Sequence, residues 1–119
     1  MREDVIRVVE AYIDAVRNKD VEAVPLHADV VFESPIRNIS GIANFRKGME
    51  EFFPVLKGIE VVHLTADDDT CAAVLKVDTI FGLIPFCEFL QIAEGQIVSV
   101  RAYYDPRPIL EGMGRIFGS

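Results

Sequence analysis

The chain lacks most of the features by which a function announces itself. Its 119 residues contain no apolar run near the ~20 residues that a membrane-spanning helix needs. Basic residues are outnumbered and scattered: 12 Lys and Arg stand against 19 Asp and Glu, for a net charge of −7, which argues against nucleic acid as a partner. There are only two cysteines and two histidines, none in metal-ligand spacing, so Cys71 and Cys87 are expected as buried free thiols and no zinc site is expected. The triplet Asp67-Asp68-Asp69 lacks the interleaved spacing and distal Glu of a calcium loop, so no metal is expected there either. No glycine-rich phosphate loop, internal repeat or low-complexity stretch occurs, and no cofactor is expected. Met1-Arg2-Glu3-Asp4 leads into an amphipathic pattern rather than an apolar leader segment, which points to a cytoplasmic protein. The length fits one domain over residues 1–119. Half of the residues are hydrophobic, and in so small a chain that implies a ligand cavity, a subunit interface, or both.

What is present is pattern. Val5, Val8, Val9, Tyr12, Ile13 and Val16 recur at helical spacing and predict a helix from Asp4 to about Lys19 with one buried stripe. Tyr12 on that stripe is either a core filler or the one residue there able to donate a hydrogen bond into a cavity. Asp20 is placed to cap a short second helix over Val21 to Val24, before Pro25. His27-Ala28-Asp29 reads as a turn and Val30 to Ser34 as a strand stopped by Pro35. After a polar loop, Ser40 is placed to cap a third helix from Gly41 or Ile42 to about Phe53. Strands follow over Ile59 to Ala66, Thr70 to Phe81, Phe86 to Ala93 and Gln96 to Asp105, with Glu94-Gly95 as a tight turn. The tail, Ile109 to Ser119, reads as a short helix or an arm lying over a groove or a neighbouring subunit. Helices first and antiparallel strands afterwards define an α+β fold.

Three charges interrupt the apolar stretch from Ala72 to Ile92: Lys76, Asp78 and Glu88. A charge in a buried strand needs a partner or a purpose. Lys76 and Asp78 have equal parity and share a face. With Gly82 to Pro85 as the turn, opposed residue numbers sum to roughly 166 or 167, which sets Glu88 across from Asp78 or one step away. Two carboxyls and an ammonium would then converge, one carboxyl with a raised pKa and the other kept ionised by Lys76. The plain alternative is an ion pair of Lys76 with Asp78 or Glu88 at a strand end or subunit contact. The same parity puts Val74, Ile80, Phe86 and Leu90 on the cavity side, with Val98, Val100 and Tyr104 from the last strand.

Ala11-Tyr12-Ile13 with Lys19-Asp20-Val21-Glu22-Ala23-Val24, Phe32-Glu33-Ser34-Pro35 after His27-Ala28-Asp29, Ser40-Gly41, and the run Gly95 to Asp105 together carry a family resemblance. Through them the chain resembles the NTF2-like superfamily, more narrowly its SnoaL-like branch of ketosteroid isomerases, limonene epoxide hydrolases and polyketide cyclases. The resemblance implies a curved antiparallel sheet closed into a cone by about three N-terminal helices, an apolar pocket inside, and a homodimer formed through the outer sheet face. It aligns Tyr12 with the oxyanion-hole tyrosine of the isomerases and Glu88 with their protonated aspartate, while Ser34 stands where their general base would be. Against the epoxide hydrolases, Asp78 and Lys76 match the acid and its arginine partner. Their second aspartate falls at Ala102, and their water-holding tyrosine and asparagine fall at Phe32 and Ser34.

The expected function is a cofactor-independent isomerase, cyclase or hydrolase acting on a small, mostly apolar molecule. Asp78 would be its acid or base, Glu88 a protonated donor, Lys76 an electrostatic tuner and Tyr12 a second donor to a developing oxyanion. The incomplete constellations keep two alternatives open. One is a non-catalytic module that binds a small hydrophobic ligand; the other is a structural dimer whose chamber is filled by Phe32, Phe45, Phe52 and Phe86.

Overall fold

In a computed structural model that describes residues 2–117, the elements run α1 (Arg2–Arg17), β1 (Leu26–Glu33), β2 (Asn38–Ser40), α2 (Ile42–Phe52), β3 (Leu56–Ala66), β4 (Thr70–Thr79), β5 (Gly82–Ala93), β6 (Gln96–Tyr104) and α3 (Arg107–Phe117). Short 3-10 turns at Val21–Ala23 and Phe53–Val55 follow the first two helices. Met1, Gly118 and Ser119 lie outside the described residues, as does the end of the expected tail.

The α1 stripe folds as its spacing predicts, with Val5, Val9, Tyr12 and Ile13 buried. Glu3 and Asp4 occupy the first turn and Arg17 the last, each sign complementing the helix dipole. Arg17 also pins the helix end to the sheet, donating from Nε (3.2 Å) and Nη2 (2.9 Å) to the Ile59 carbonyl. Two caps differ from expectation. Asp20 makes no side-chain cap bond, and Gly41, at φ +89°, replaces Ser40 at the start of α2.

The six strands form one sheet in the order β2-β1-β6-β5-β4-β3. All neighbours are antiparallel except β1 and β6, which pair in parallel, so the sheet is mixed. β1 begins earlier than expected and absorbs His27-Ala28-Asp29, with a register shift between Leu26 and Val31. Further shifts occur in β3 and between β5 and β6. Bulges of this kind bend a sheet. The concave side carries α1 and α2, with Val9, Val30, Leu90, Ile97 and Val100 completely buried between the layers. Phe45 of α2 meets Phe32 of β1 edge to face, with ring centroids 5.3 Å apart.

The turn between β4 and β5 is Ile80-Phe81, not Gly82 to Pro85. Thr79 pairs with Gly82, and the Thr79 hydroxyl both donates to the Gly82 carbonyl (2.8 Å) and accepts from the Phe81 amide (3.0 Å). Pro85 sits inside β5 opposite Lys76. It lies beyond the last β5–β6 pair, Phe86 with Tyr104, where a missing amide proton costs no second ladder bond.

Candidate functional site

That shorter turn decides which charges meet. The β4–β5 register pairs Ala73 with Glu88, Val77 with Ile84 and Asp78 with Leu83, so odd positions of β4 share the concave face with even positions of β5. Cys71, Ala73, Leu75, Val77 and Thr79 are accordingly buried, as are Ile84, Glu88 and Leu90. The expected convergence of Lys76, Asp78 and Glu88 is corrected: Lys76 and Asp78 project from the outer face, and among the described residues neither makes an ion pair. Val74 and Ile80, expected in the cavity, are exposed for the same reason. Val98 is displaced by the β5–β6 shift to a half-buried position.

Glu88 is the one charged side chain of the apolar stretch that faces inward. It sits between Ala73 on β4 and Ala102 on β6, two small neighbours that leave room for its carboxyl and for the ring of Tyr12. The Tyr12 hydroxyl donates to Glu88 Oε1 at 3.0 Å, and each residue is 7% exposed. Burial pushes the Glu88 carboxyl up from 4.5 to about 7, against the opposing effect of the Tyr12 hydrogen bond. Burial, then the adjacent Glu88 charge and the same hydrogen bond, hold the Tyr12 phenol well above its ordinary value. Tyr12 therefore stays a neutral donor while Glu88 titrates near neutrality.

These two side chains open on a cavity of about 420 Å³ walled by α1, α2, α3 and the concave sheet face. Phe32, Ser34, Phe86 and Tyr104 line it with Tyr12 and Glu88. Leu90, Val100 and Ala102 face the same side but are packed below the cavity, outside its wall. Phe32, Phe45, Phe52 and Phe86 border the void rather than fill it. One inward rung from Glu88, Tyr104 stacks on Phe86 with centroids 4.1 Å apart and planes 15° apart. Burial raises the Tyr104 pKa, the nearby Ser34 hydroxyl lowers it, the Glu88 charge raises it and Arg37 lowers it. Ser34 is committed to its own loop: its Oγ donates to the Arg37 carbonyl (2.9 Å) and accepts from the amides of Ile36 (3.3 Å) and Arg37 (3.2 Å).

Sequence reasoning missed the Arg37–Glu51 pair at the rim, 3.3 Å apart with both side chains about half exposed; it laid the tail over a groove or a neighbouring subunit, and the groove is this cavity, whose wall Leu110 and Met113 of α3 reach. It also missed Leu75 and Val77. The signal was present: both charges of β4 fall on even positions, which marks the odd face as the dry one. Among the described residues no group of three His, Cys, Asp or Glu side chains could hold a metal ion. Cys71 is buried and Cys87 exposed, and both are unpaired; the expectation of a buried Cys87 is corrected, because it points outward opposite Glu88.

An α+β chain whose curved, mixed sheet wraps an inner cavity is an NTF2-like fold. The chain belongs to the SnoaL-like domain family, whose pattern it matches over residues 9–100. None of the curated proteins matches it. Similar solved structures include an LEH-like epoxide hydrolase from M. tuberculosis, 21% identical over 99% of this chain and 98% of that one, with a TM-score of 0.80. A provisionally assigned ketosteroid isomerase from Kribbella flavida is 21% identical over 87% and 79%, with a TM-score of 0.81. A provisionally assigned polyketide cyclase from Xanthomonas campestris is 20% identical over 92% and 96%, with a TM-score of 0.77. Such low identities bear on the fold alone. No helix among the described residues is long and apolar enough to cross a membrane.

Proposed function

We propose that the chain, acting as one SnoaL-like unit over residues 1–119, is a cofactor-independent acid/base enzyme of the isomerase, cyclase or hydrolase type. Its substrate is a small, mostly apolar molecule held by one oxygen atom. The observation that carries this reading is the buried Tyr12–Glu88 pair on the wall of an otherwise apolar cavity. With Asp78 and Lys76 on the outer face, the proton-transfer role passes to Glu88 itself. As a carboxylate it takes a proton from carbon next to a carbonyl while the Tyr12 hydroxyl turns its one proton from Glu88 to the oxygen on which charge develops, and Glu88 then returns the proton to the same molecule.

The test is deuterium wash-in. With 2-tetralone in D2O, proton NMR should show exchange beside the carbonyl accelerated by the protein and not by Glu88→Gln. Exchange no faster with either protein than in buffer alone, with the ketone bound, would refute catalysis. That outcome would favour the second reading, a non-catalytic module for a small hydrophobic ligand, which the engaged state of Ser34 supports because it leaves no second base at the site.

In this reading the outer sheet face, where Val74, Leu83, Phe89 and Tyr103 are exposed around Lys76 and Asp78, pairs with a second copy in a homodimer. A two-fold axis would let Lys76 of each copy approach Asp78 of the other. Two unpaired thiols fit a reducing, cytoplasmic setting, and the net charge of −7 speaks against nucleic acid.

A further inference from the structure

The helix α3 is built in a way that packing alone does not require. Ile109, Leu110 and Met113 line the cavity; Ile109 and Gly112 are buried while Leu110 is 53% and Met113 38% exposed, so the helix lies over the cavity seated along one edge only. Among the described residues its polar contacts stay at its root. The Arg107 amide and guanidinium bond to Asp105, and the Leu110 amide bonds to the Pro106 carbonyl. Among the described residues no side-chain hydrogen bond or ion pair ties it to the sheet, and its described contacts with the body are apolar.

Its sequence also works against autonomous stability. Eleven residues make a marginal helix in isolation, and α3 contains Gly112 and Gly114, glycine being among the poorest helix formers. Gly112 has a specific reason to be there. It is buried, and a Cβ at this position would overlap the ring of Phe81 in the β4–β5 turn. The glycine weakens the helix and at the same time allows its close approach to Phe81 of the β4–β5 turn.

We propose that α3 is a lid over the cavity mouth, seated by the contact of Gly112 with Phe81 and hinged at Asp105-Pro106, and that ligand enters and leaves when it lifts. The proposal rests on the cavity being a ligand site, but its seat can be tested without one. The root, Asp105 to Pro106, keeps the helix start in place while the glycine contact, which has no polar reinforcement, lets go.

Two measurements decide. Hydrogen exchange of the free protein should show α3 amides exchanging at least about tenfold faster than those of β5, and Gly112→Ala should speed them further although alanine is the better helix former. In a Phe81→Ala background the same substitution should have no accelerating effect, because the overlap is gone. With 2-naphthol as probe, stopped-flow fluorescence should show dissociation from Gly112→Ala about tenfold faster, the equivalent of ~1.4 kcal/mol. The Phe81→Ala/Gly112→Ala protein should match Phe81→Ala alone. Exchange in α3 as slow as in β5, or slower naphthol release from Gly112→Ala, would overturn the lid. Failure of 2-naphthol to bind would overturn the ligand reading, leaving the exchange data to judge the seat.

Discussion

Replacing Glu88 by glutamine keeps its size and the oxygen that accepts from Tyr12 but removes the ionisable proton, and burial dictates how the effect varies with pH. In the folded protein the Glu88 carboxyl titrates at about 7 against 4.5 for an exposed group. Between those values the unfolded chain has lost the proton and the folded chain still holds it. Stability therefore falls as pH rises across that window, is fully present below about 4.5 and levels off above about 7. At about 1.4 kcal/mol per pH unit the loss comes to about 3 kcal/mol. Other carboxyls titrate in the same range, so the informative quantity is the difference between Glu88→Gln and wild type. It should grow by about 3 kcal/mol in favour of the variant between pH 4.5 and 8. Urea denaturation reads this directly: at an m-value of about 1–2 kcal/mol/M, the midpoints should separate by about 1.5 M or more at the alkaline end. A difference independent of pH would mean that Glu88 ionises as an exposed glutamate does, and the dry site would be refuted.

Tyr12→Phe removes the hydrogen bond that favours the Glu88 carboxylate, so the Glu88 titration followed by carboxyl carbon NMR should move to still higher pH; a shift downward would contradict the assigned contact. Lys76→Ala and Asp78→Ala, both on the outer face, should leave that titration in place and weaken the proposed self-association in analytical ultracentrifugation. A displaced titration would bring them back to the cavity. Leu90→Ala, at a fully buried position, should destabilise by about 2–5 kcal/mol in guanidinium unfolding.

The parts of the fold that sequence made legible are those governed by local geometry. The α1 stripe needs only helical spacing, and the Glu94-Gly95 turn needs two residues that tolerate positive φ, which they adopt at 53° and 77°. The β4–β5 turn was misread because Gly82 and Pro85 are conventional turn residues, whereas the actual turn, Ile80-Phe81, is organised by the Thr79 side chain. One misplaced turn changed the pairing and sent Lys76 and Asp78 to the opposite face from Glu88. Long-range placement was equally out of reach. Nothing local in Leu26–Glu33 announces a parallel partner in Gln96–Tyr104, and the tail, which reads as a short helix or arm over a groove, does not say by itself which of its residues reach the cavity wall. Tyr12 and Glu88 were each legible as a polar group on an otherwise apolar face, but the sequence set Glu88 against Asp78 and Lys76, and their hydrogen bond to each other follows from the actual register.

The engaged Ser34 narrows the chemistry further. Its hydroxyl already satisfies the Ile36 and Arg37 amides and the Arg37 carbonyl, so recruiting it as a proton acceptor would break the loop that carries Arg37. Tyr104, with its pKa raised, is a donor in the same range of pH. Glu51, the other carboxyl on the wall, is half exposed and paired with Arg37 at the rim. Among the described residues of the wall, Glu88 is thus the one buried carboxyl, placed for the proposed proton transfer near neutrality. A reaction needing a separate acid and base at the same moment finds no second buried carboxyl among them. A reaction that removes a proton and returns it to the same molecule needs only one, provided that a neutral donor such as Tyr12 holds the oxygen between the two steps.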